Sequence, residues 1–210
     1  MFGKKPYDYK IYVAGPFQAG KTTLIHKLDP KALSIEKPLR DGSGSTTTAF
    51  DLGHVFWVRP REESQGLVIS EQEFEKEKDQ YNGYIVSKVE LKGGPGQIHF
   101  KAVREMVMKN SDGILFLVDS SDPMSIGQAS ALLEEAVLHL GKDIPIVVLA
   151  NKQDLPDAMP VETVKTLLGD SEIITDIFPA SALNNVGISD AISYLLMKIK
   201  KRKESLSGGN

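Results

Sequence analysis

Short apolar runs alternate with helical patterns along most of the chain. The strand candidates are KIYVAG (10–15), HVFWV (54–58), YIVSKVEL (84–91), GILFLVDS (113–120), IPIVVLAN (144–151) and EIITDIFPAS (172–181). The helix candidates are KTTLIHKL (21–28), IHFKAVREMVMKN (98–110), SIGQASALLEEAVLHL (125–140), PVETVKTLLG (160–169) and GISDAISYLLMKIKKRK (187–203). This alternation predicts parallel βαβ units. Because the fourth and fifth strand candidates are almost wholly apolar, we expect a six-stranded, mostly parallel sheet with helices on both faces, an α/β fold.

Two polar segments interrupt this pattern. LSIEKPLRDGSGSTTT (33–48) is rich in turn residues and predicts a long loop, which in a compact domain is usually functional or disordered. RPREESQGLVISEQEFEKEKDQYNG (59–83) holds seven acidic against three basic residues from Arg61 to Asp79. It can form a long hairpin arm, a short helix or a disordered insert. We expect one domain over residues 1–204, with this acidic insert at 60–82, and a flexible tail at 205–210.

Composition narrows the class of protein. The chain has 210 residues and no cysteine, which excludes disulfides, thiolate metal sites and lipid anchors on cysteine. Phe2 replaces the glycine that N-myristoylation requires, and no apolar run has the length of a bilayer-spanning helix. The net charge is -3 and the basic C-terminal end carries +4, so the rest of the chain carries -7, and this acidic body argues against general nucleic-acid binding. The basic end MKIKKRKE is either a solvated helix terminus or a weak contact for an anionic membrane. We expect a cytoplasmic protein, peripheral to a membrane at most.

GPFQAGKT (15–22) matches the phosphate-binding pattern G-x-x-x-x-G-K-[ST] and lies between a strand candidate and a helix candidate, the context that this motif requires. Gly15 and Gly20 let the backbone fold around a phosphate so that successive amides point at it. Lys21 supplies a positive charge to the outer phosphates, and Thr22 supplies a hydroxyl for magnesium. The expected nucleotide-binding residues of this segment are Gly15, Gln18, Ala19, Gly20, Lys21, Thr22 and Thr23.

ANKQDL (150–155) follows the fifth strand candidate and predicts the choice of base. Asp154 can accept two hydrogen bonds from guanine, an arrangement that adenine does not offer. Asn151 and Lys152 can brace the loop and cover the ring. ASAL (180–183) follows the last strand candidate and can offer amides to the guanine carbonyl. The expected base-binding residues are Asn151, Lys152, Asp154, Ser181, Ala182 and Leu183.

These three motifs, in this order, resemble those of the Ras-type small GTPase superfamily. The resemblance is greatest to its Arf-like branch and to the related MglA-type polarity GTPases of bacteria and archaea. It covers residues 8–203 except for the insert. It implies a P-loop NTPase three-layer fold that binds GTP or GDP together with Mg²⁺.

The resemblance also implies a first switch loop. The family places a magnesium-binding threonine four residues before a polar residue that opens the second strand. TTTAFDLG puts Thr47 four residues before Asp51, with Thr46 and Thr48 as alternatives one register step away. The expected metal ligands are therefore Thr22 and Thr47.

In the second switch, the family pattern Asp-x-x-Gly-Gln is replaced by GGPGQ (93–97). Gly96 is expected to offer its amide to the γ-phosphate, and Gln97 to orient the attacking water. Gly93 lacks the carboxylate that usually holds magnesium through a water molecule. Asp119, in LVDSSDP, is either a substitute acid or bonds only to the backbone of its own turn. We expect metal binding that is weakened but retained.

Three further residues bear on catalysis. Phe17 is a bulky aromatic where Ras-type proteins need glycine, and it predicts slow turnover. Arg40 either acts in cis, as in heterotrimeric G-protein alpha subunits, or is a solvated loop residue. His99 either faces the phosphates or begins the second helix at the surface. The expected catalytic residues remain Gln97 and Lys21.

The sequence therefore predicts a GTP-dependent molecular switch that hydrolyses GTP slowly, is controlled by activating and exchange proteins and is read by effectors. The main alternative is a pseudo-GTPase interaction module, motivated by Gly93 and Phe17. Another P-loop enzyme, such as a nucleotide kinase, is disfavoured by NKQD and ASAL. A homodimer through the switch surface or the insert is compatible with the sequence.

Overall fold

The computed structural model describes residues 7–37, 48–63, 65–97, 100–169 and 173–207. The strands are β1 (Tyr9–Ala14), β2 (Leu33–Lys37), β3 (Thr48–Arg59), β4 (Leu67–Ser70), β5 (Ile85–Gly93), β6 (Gly113–Asp119), β7 (Ile146–Asn151) and β8 (Asp176–Pro179). The helices are α1 (Lys21–Leu28), α2 (Glu71–Lys76), α3 (Lys101–Met108), α4 (Pro123–Leu140), α5 (Val161–Leu168) and α6 (Ile188–Ser207), with a 3-10 turn at Lys78–Tyr81.

All described strands belong to one sheet. Its order is β2-β3-β5-β1-β6-β7-β8, and β4 lies beside β3. The pairs β5-β1, β1-β6, β6-β7 and β7-β8 are parallel, whereas β3 runs antiparallel to β2, β4 and β5. The parallel strands bring their carboxyl ends to one edge of the sheet, which is where folds of this type bind ligands.

Two apolar cores cover the two faces of the sheet. One core packs α1 and α6 against the sheet, and the other packs α3, α4 and α5 against the opposite face. The central strands β6 and β7 are buried at every position, as their apolar sequences predict. The predicted three-layer α/β fold with helices on both faces is therefore confirmed.

Two strands, β2 and β4, exceed the six that the apolar runs predict. The segment 33–48 was expected to be a loop, but its first five residues form β2, an edge strand paired antiparallel with β3. Leu33 and Ile35 are 60% and 41% exposed. A strand whose apolar side chains face solvent carries no burial signal in its sequence, so periodicity alone missed it.

The acidic insert contains a strand followed by a short helix. Its strand β4 pairs antiparallel with residues 55–58 of β3. Its helix α2 begins at a capping box, in which the Ser70 hydroxyl accepts from the Glu73 backbone N–H and the Glu73 carboxylate accepts from the Ser70 backbone N–H. The structure therefore combines two of the three forms that the sequence allowed, a hairpin between β3 and β4 and the short helix α2.

The insert is fastened to the last helix by hydrogen bonds. The backbone N–H of Gly66 donates to Ser193 Oγ, and that of Val68 donates to Ser189 Oγ, each at 3.0 Å. Trp57 Nε1 of β3 donates to the same Ser193 oxygen at 3.1 Å. Two residues of α6 thus hold both the insert and the strand beside it.

The helix α6 is the longest helix in the described part of the chain, with 20 residues. It ends at Ser207, so it includes the first three residues of the predicted tail. Near its basic end, Lys203 Nζ pairs with Asp112 Oδ1 at 2.9 Å and donates to the Asp8 carbonyl at 3.1 Å. None of the helices in the described ranges combines the length and the hydropathy that crossing a membrane requires.

Candidate nucleotide-binding site

The loop between β1 and α1 turns so tightly that two of its positions admit only glycine. Gly15 has a φ of 138°, and a Cβ there would lie 2.1 Å from the Leu117 carbonyl oxygen. Gly20 has a φ of 101°, and a Cβ there would lie 2.4 Å from Asn151 Nδ2. The loop therefore packs directly on β6 and β7 and leads into the first turn of α1, whose free backbone N–H groups attract anions.

Lys21, the first residue of α1, is 9% exposed and folds back over the loop. Its Nζ donates to the carbonyls of Gly15 at 2.8 Å and Pro16 at 2.6 Å. Burial lowers the pKa of Lys21 to about 8, an effect that nearby Asp51 opposes and Arg104 strengthens. Among the described residues, this buried ammonium donates to two carbonyls and to no carboxylate, so an anion in the loop would compensate its charge.

Asn151, at the end of β7, joins the phosphate loop to the segment 180–183. Its side chain is 1% exposed. Nδ2 donates to the Ala19 carbonyl, and Oδ1 accepts from the Ala182 backbone N–H, both at 2.8 Å. One buried amide thus uses its donor and its acceptor to fix two loops far apart in sequence.

Lys152 and Asp119 form an ion pair beside this junction. Lys152 has a φ of 67°, and its Nζ lies 2.5 Å from Asp119 Oδ2. Asp119 also accepts from the backbone N–H and the hydroxyl of Ser121. Burial alone would raise the pKa of the Asp119 carboxyl, but the hydrogen bonds from Lys152 and Ser121 hold it below its usual range. The carboxylate of Asp119 is therefore engaged by the base-side lysine and by its own turn.

Asp154 presents its carboxylate to solvent at the rim of the same junction. Its Oδ1 accepts from Ser181 Oγ at 2.5 Å, which orients the carboxylate. Ser181 and Ala182 are buried, whereas Leu183 is 59% exposed. Within the part of the chain that the structure describes, the other carboxylate oxygen, Oδ2, accepts no hydrogen bond, and the residue is exposed.

A carboxylate occupies the space beside Gly93, and it belongs to Asp51 on the neighbouring strand. Asp51 of β3 pairs directly with Gly93 of β5 in the antiparallel ladder. Residues directly opposite in such a ladder share one face of the sheet. A Cβ added at Gly93 would lie 3.2 Å from Asp51 Cβ and 3.4 Å from Asp51 Oδ2.

The Asp51 carboxylate is directed at the phosphate loop. It is 5% exposed, and its Oδ2 accepts from Thr22 Oγ1 at 2.6 Å. Its Oδ1 accepts from Ser34 Oγ, also at 2.6 Å. Sequence reasoning used Asp51 only to locate Thr47 and considered Asp119 as the substitute acid. The signal it missed is a charged residue at an inward position of a strand that must pair with the one ending at Gly93.

The second switch begins close to the phosphate loop. The Gly94 backbone N–H donates to the Val13 carbonyl at 3.1 Å. A Cβ at Gly96 would lie 2.5 Å from the backbone nitrogen of Phe17, so the two backbones are in direct contact. The Phe17 side chain itself is 57% exposed. Gly96 therefore lies against the phosphate loop, and Gln97 lines the same cleft.

A cleft of about 440 Å³ gathers most of the predicted phosphate-side residues. It is lined by Phe17, Gln18, Gly20, Lys21, Thr22, Thr23, Asp51, Gly94, Pro95, Gly96, Gln97, Phe100 and Lys152. Asn151 connects the phosphate loop to Ala182, and the neighbouring Ser181 bonds to Asp154. Arg40, Thr46, Thr47 and His99 lie outside the described residues, and Thr48 is the first residue of β3.

The parallel sheet, the glycine loop before α1 and the Asn151 junction define a P-loop nucleotide-binding protein of α/β architecture. The profile of the ADP-ribosylation factor family matches residues 72–199, which is more than half of the chain. The chain therefore belongs to the ADP-ribosylation factor family of small GTPases, as the sequence motifs predict.

Individual relatives agree with this assignment. The chain is 34% identical to ADP-ribosylation factor-like protein 3 of Saccharomyces cerevisiae over 99 residues, which cover 44% of this chain and 50% of that protein. It is 28% identical to the mutual gliding-motility protein MglA of Myxococcus xanthus over 210 residues, which cover 95% and 96%. It is 25% identical to ADP-ribosylation factor-like protein 6 of Caenorhabditis elegans, over 98% and 94%. The chain thus spans only about half of the yeast relative but nearly all of the other two.

Proposed function

We propose that this protein is a guanine-nucleotide-dependent molecular switch that binds GTP and GDP and hydrolyses GTP slowly. The observation that carries the proposal is the Asn151 side chain, which joins the phosphate loop at Ala19 to the base-side loop at Ala182. This junction preassembles two ends of one site, one suited to phosphates and the other to a base. The outward carboxylate of Asp154 is an acceptor for the two donors on the edge of guanine.

The side chains on the phosphate side fit a magnesium nucleotide. Thr22 Oγ1 donates its only proton to Asp51, which leaves its lone pairs for a cation. The described residues contain no group of three or more His, Cys, Asp or Glu side chains that would hold a metal by themselves. A site with so few protein ligands suits Mg²⁺, because this ion keeps several waters and is usually shared with substrate phosphates. Bound there with Thr22 and Thr47, the ion would neutralise phosphate charge, and Asp51 would accept from one of its waters.

Three groups of the chain act on the reacting phosphate in this proposal. Lys21 leaves the loop carbonyls and pairs with the outer phosphates, which restores a counter-charge to a buried ammonium. The Gly96 amide binds the γ-phosphate and orders the second switch. Gln97 orients the attacking water, because phosphoryl transfer depends on position and charge more than on covalent chemistry.

The second candidate function is a pseudo-GTPase that binds guanine nucleotide and serves as an interaction module. It is favoured by Phe17, whose exposed ring stands at the entrance to the cleft, where it would hinder Gln97 or an arginine from an activating protein. Gly93 was the other reason for considering a pseudo-GTPase. It supports that function less, because the Asp51 carboxylate lies in the space beside it.

A switch of this kind requires partners, and we propose exchange proteins, activating proteins and effectors that read the segments around the cleft. The basic end of α6 supports at most a weak contact with an anionic membrane. Lys200 pairs with Glu204 at 3.2 Å and Lys203 with Asp112 at 2.9 Å, so part of its charge is already neutralised. We propose that the protein is cytoplasmic and at most peripheral to a membrane. The protein is either a monomer or a homodimer in this proposal.

The test is single-turnover hydrolysis of GTP by purified protein, with Mg²⁺ and with EDTA. Gln97→Leu is the test variant. Gln128→Leu, the same change at an exposed position of α4, is the matched control. We expect slow phosphate release that requires Mg²⁺, falls in Gln97→Leu and is unchanged in Gln128→Leu. Tight GTP binding with no turnover in any variant would favour the pseudo-GTPase.

A further inference from the structure

The Gln97 carbonyl oxygen is held by a buried arginine. It accepts from the Phe100 backbone N–H at 3.2 Å, which closes a turn at the start of the helical segment. It also accepts a short hydrogen bond from Nη1 of Arg104, in α3. Arg104 is 4% exposed. Thus a charged donor from the first helix after the switch reaches back to the residue that we propose orients the water.

The guanidinium of Arg104 is itself fixed from a second helix. Its Nε donates to Glu135 Oε1 at 2.8 Å, and its Nη2 donates to Glu135 Oε2 at 2.7 Å. This two-pronged pairing sets the plane of the guanidinium, because two parallel hydrogen bonds allow little rotation. Glu135 lies on α4, which packs against the sheet. The Gln97 backbone is therefore connected to α4 through Arg104 and Glu135.

The rest of the switch segment is tied at its other end. Gly94 bonds to β1, and the space beside it is filled by the Tyr12 ring, whose oxygen would lie 2.3 Å from a Cβ at Gly94. Gly96 rests on the phosphate loop. Residues 94–97 are thus held at one end by β1 and the phosphate loop, and at the other by the bond from Arg104 to the Gln97 carbonyl.

We propose that Arg104, oriented by Glu135, is a positioning residue that fixes the Gln97 main chain so that its side-chain amide meets the attacking water. This inference rests on the proposed GTP hydrolysis. The hydrogen bond from Arg104 Nη1 to the Gln97 carbonyl is the contact that couples the ion pair between α3 and α4 to the switch segment. Arg104 acts on the hydrolysis step and leaves the affinity for nucleotide nearly unchanged.

The variant Arg104→Lys keeps the positive charge and changes the hydrogen-bonding geometry. Lysine keeps the charge and can pair with Glu135, but its single ammonium cannot form the fork and also reach Gln97. We expect Arg104→Lys to slow single-turnover hydrolysis about tenfold, since small displacements of a reacting group carry large kinetic effects. The dissociation constant for GTP should stay within about threefold. Glu135→Gln should slow hydrolysis about threefold, because it loosens the guanidinium without removing it.

The decisive comparison uses the Gln97→Leu background. There Arg104→Lys should cause no further slowing, because two residues that act through one group are not additive. Glu134→Gln, on the exposed neighbour of Glu135, is the matched control and should match wild type. Equal slowing by Arg104→Lys with and without Gln97 would overturn the inference. So would a loss of GTP affinity in parallel with the rate.

Amide hydrogen exchange supplies a readout that does not depend on turnover. Arg104→Lys should raise exchange in the 94–100 segment and leave the buried strand 113–119 unchanged. Faster exchange in both segments would indicate general destabilisation and contradict a positioning role. A wild-type protein without GTP turnover would refute the proposed function itself. A wild-type protein and an Arg104→Lys variant with equal turnover would refute only the role of Arg104.

Discussion

The base side and the phosphate side of the cleft are built differently. On the base side, Asn151 and Ser181 hold their neighbours by hydrogen bonds between loops, and the sequence matches the family motifs throughout. On the phosphate side, Phe17 and Gly93 depart from the family pattern, and a carboxylate from another strand stands beside Gly93. The two sides differ because a base and a hydrated ion place different geometric demands on the side chains around them. A flat base needs donors and acceptors at fixed places, whereas a carboxylate that contacts only a water of an ion can approach from either of two strands.

The largest expected effect tests the base side. Asp154→Ala removes an acceptor for two donors of guanine, and loss of two charge-assisted hydrogen bonds should weaken GDP binding by about 100-fold or more. The measurement is titration with a fluorescent GDP analogue, repeated with an ADP analogue. Asp157→Ala, at an exposed position in the same loop, is the control and should bind as wild type does. Undiminished preference for guanine in Asp154→Ala would break the assignment of the base side.

The second effect tests the phosphate side. Asp51→Asn should weaken Mg²⁺-dependent GDP binding by about 30-fold, as expected for removal of an outer-sphere partner. Binding in EDTA should change little. Asp119→Asn is the control, because that carboxylate is engaged by Lys152 and Ser121.

A transfer of the carboxylate sharpens the same test. The double variant Asp51→Ala with Gly93→Asp puts the acid back where the family pattern has it, and it should recover most of the Mg²⁺ dependence. Gly93→Asp alone, with Asp51 still present, should give no gain in Mg²⁺ dependence, since its side chain would crowd the Asp51 carboxylate. Mg²⁺ dependence that survives in Asp51→Asn and falls in Asp119→Asn would reverse the assignment.

The third effect is a pH dependence of nucleotide affinity. In the free protein the pKa of Lys21 is about 8, and phosphates beside it would raise that pKa. When the pH lies above the pKa of the free protein, nucleotide binding must therefore take up a proton. The affinity for nucleotide is full below that pKa and falls as the pH rises, by about tenfold from pH 7 to pH 9. Calorimetry in buffers of different ionisation enthalpy measures the uptake. Lys21→Arg, which stays charged, should show none. Equal affinity at both pH values in the wild type would contradict a buried, weakly compensated ammonium.

The smallest effect concerns Phe17. Phe17→Gly should speed single-turnover hydrolysis about threefold, because removal of the ring frees space for Gln97 and the attacking water. GDP affinity should stay the same, since the ring makes no contact that the base side needs. A rate that stays constant or falls would show that the aromatic side chain does not limit turnover.

Local motifs predicted where the base-side residues lie in the fold, because the motifs and the strands that precede them are adjacent in sequence. Asn151 and Asp154 follow an apolar strand, and the structure places them at its carboxyl end. Asp51 was beyond this reasoning, because its role depends on the register between β3 and β5, 42 residues apart in sequence at the pair with Gly93. Non-local register is set by packing of whole strands and leaves no local signature.

The same limit explains the missed strands. The apolar side chains of β2 are exposed at the sheet edge, so their pattern does not indicate a strand. In β4 exposed and buried positions alternate, but its four residues, one of them a serine, are too few to stand out within an acidic segment. By contrast, β6 and β7 are apolar at nearly every position because both faces are covered, and their sequences alone were sufficient.

The strand β3 links the acidic insert to the phosphate side of the cleft. Its twelve residues extend over about 40 Å, with Asp51 toward one end and Trp57 toward the other. The Trp57 end is pinned to α6 through Ser193, which also holds the insert. The acidic insert therefore contacts one end of the strand whose other end carries Asp51.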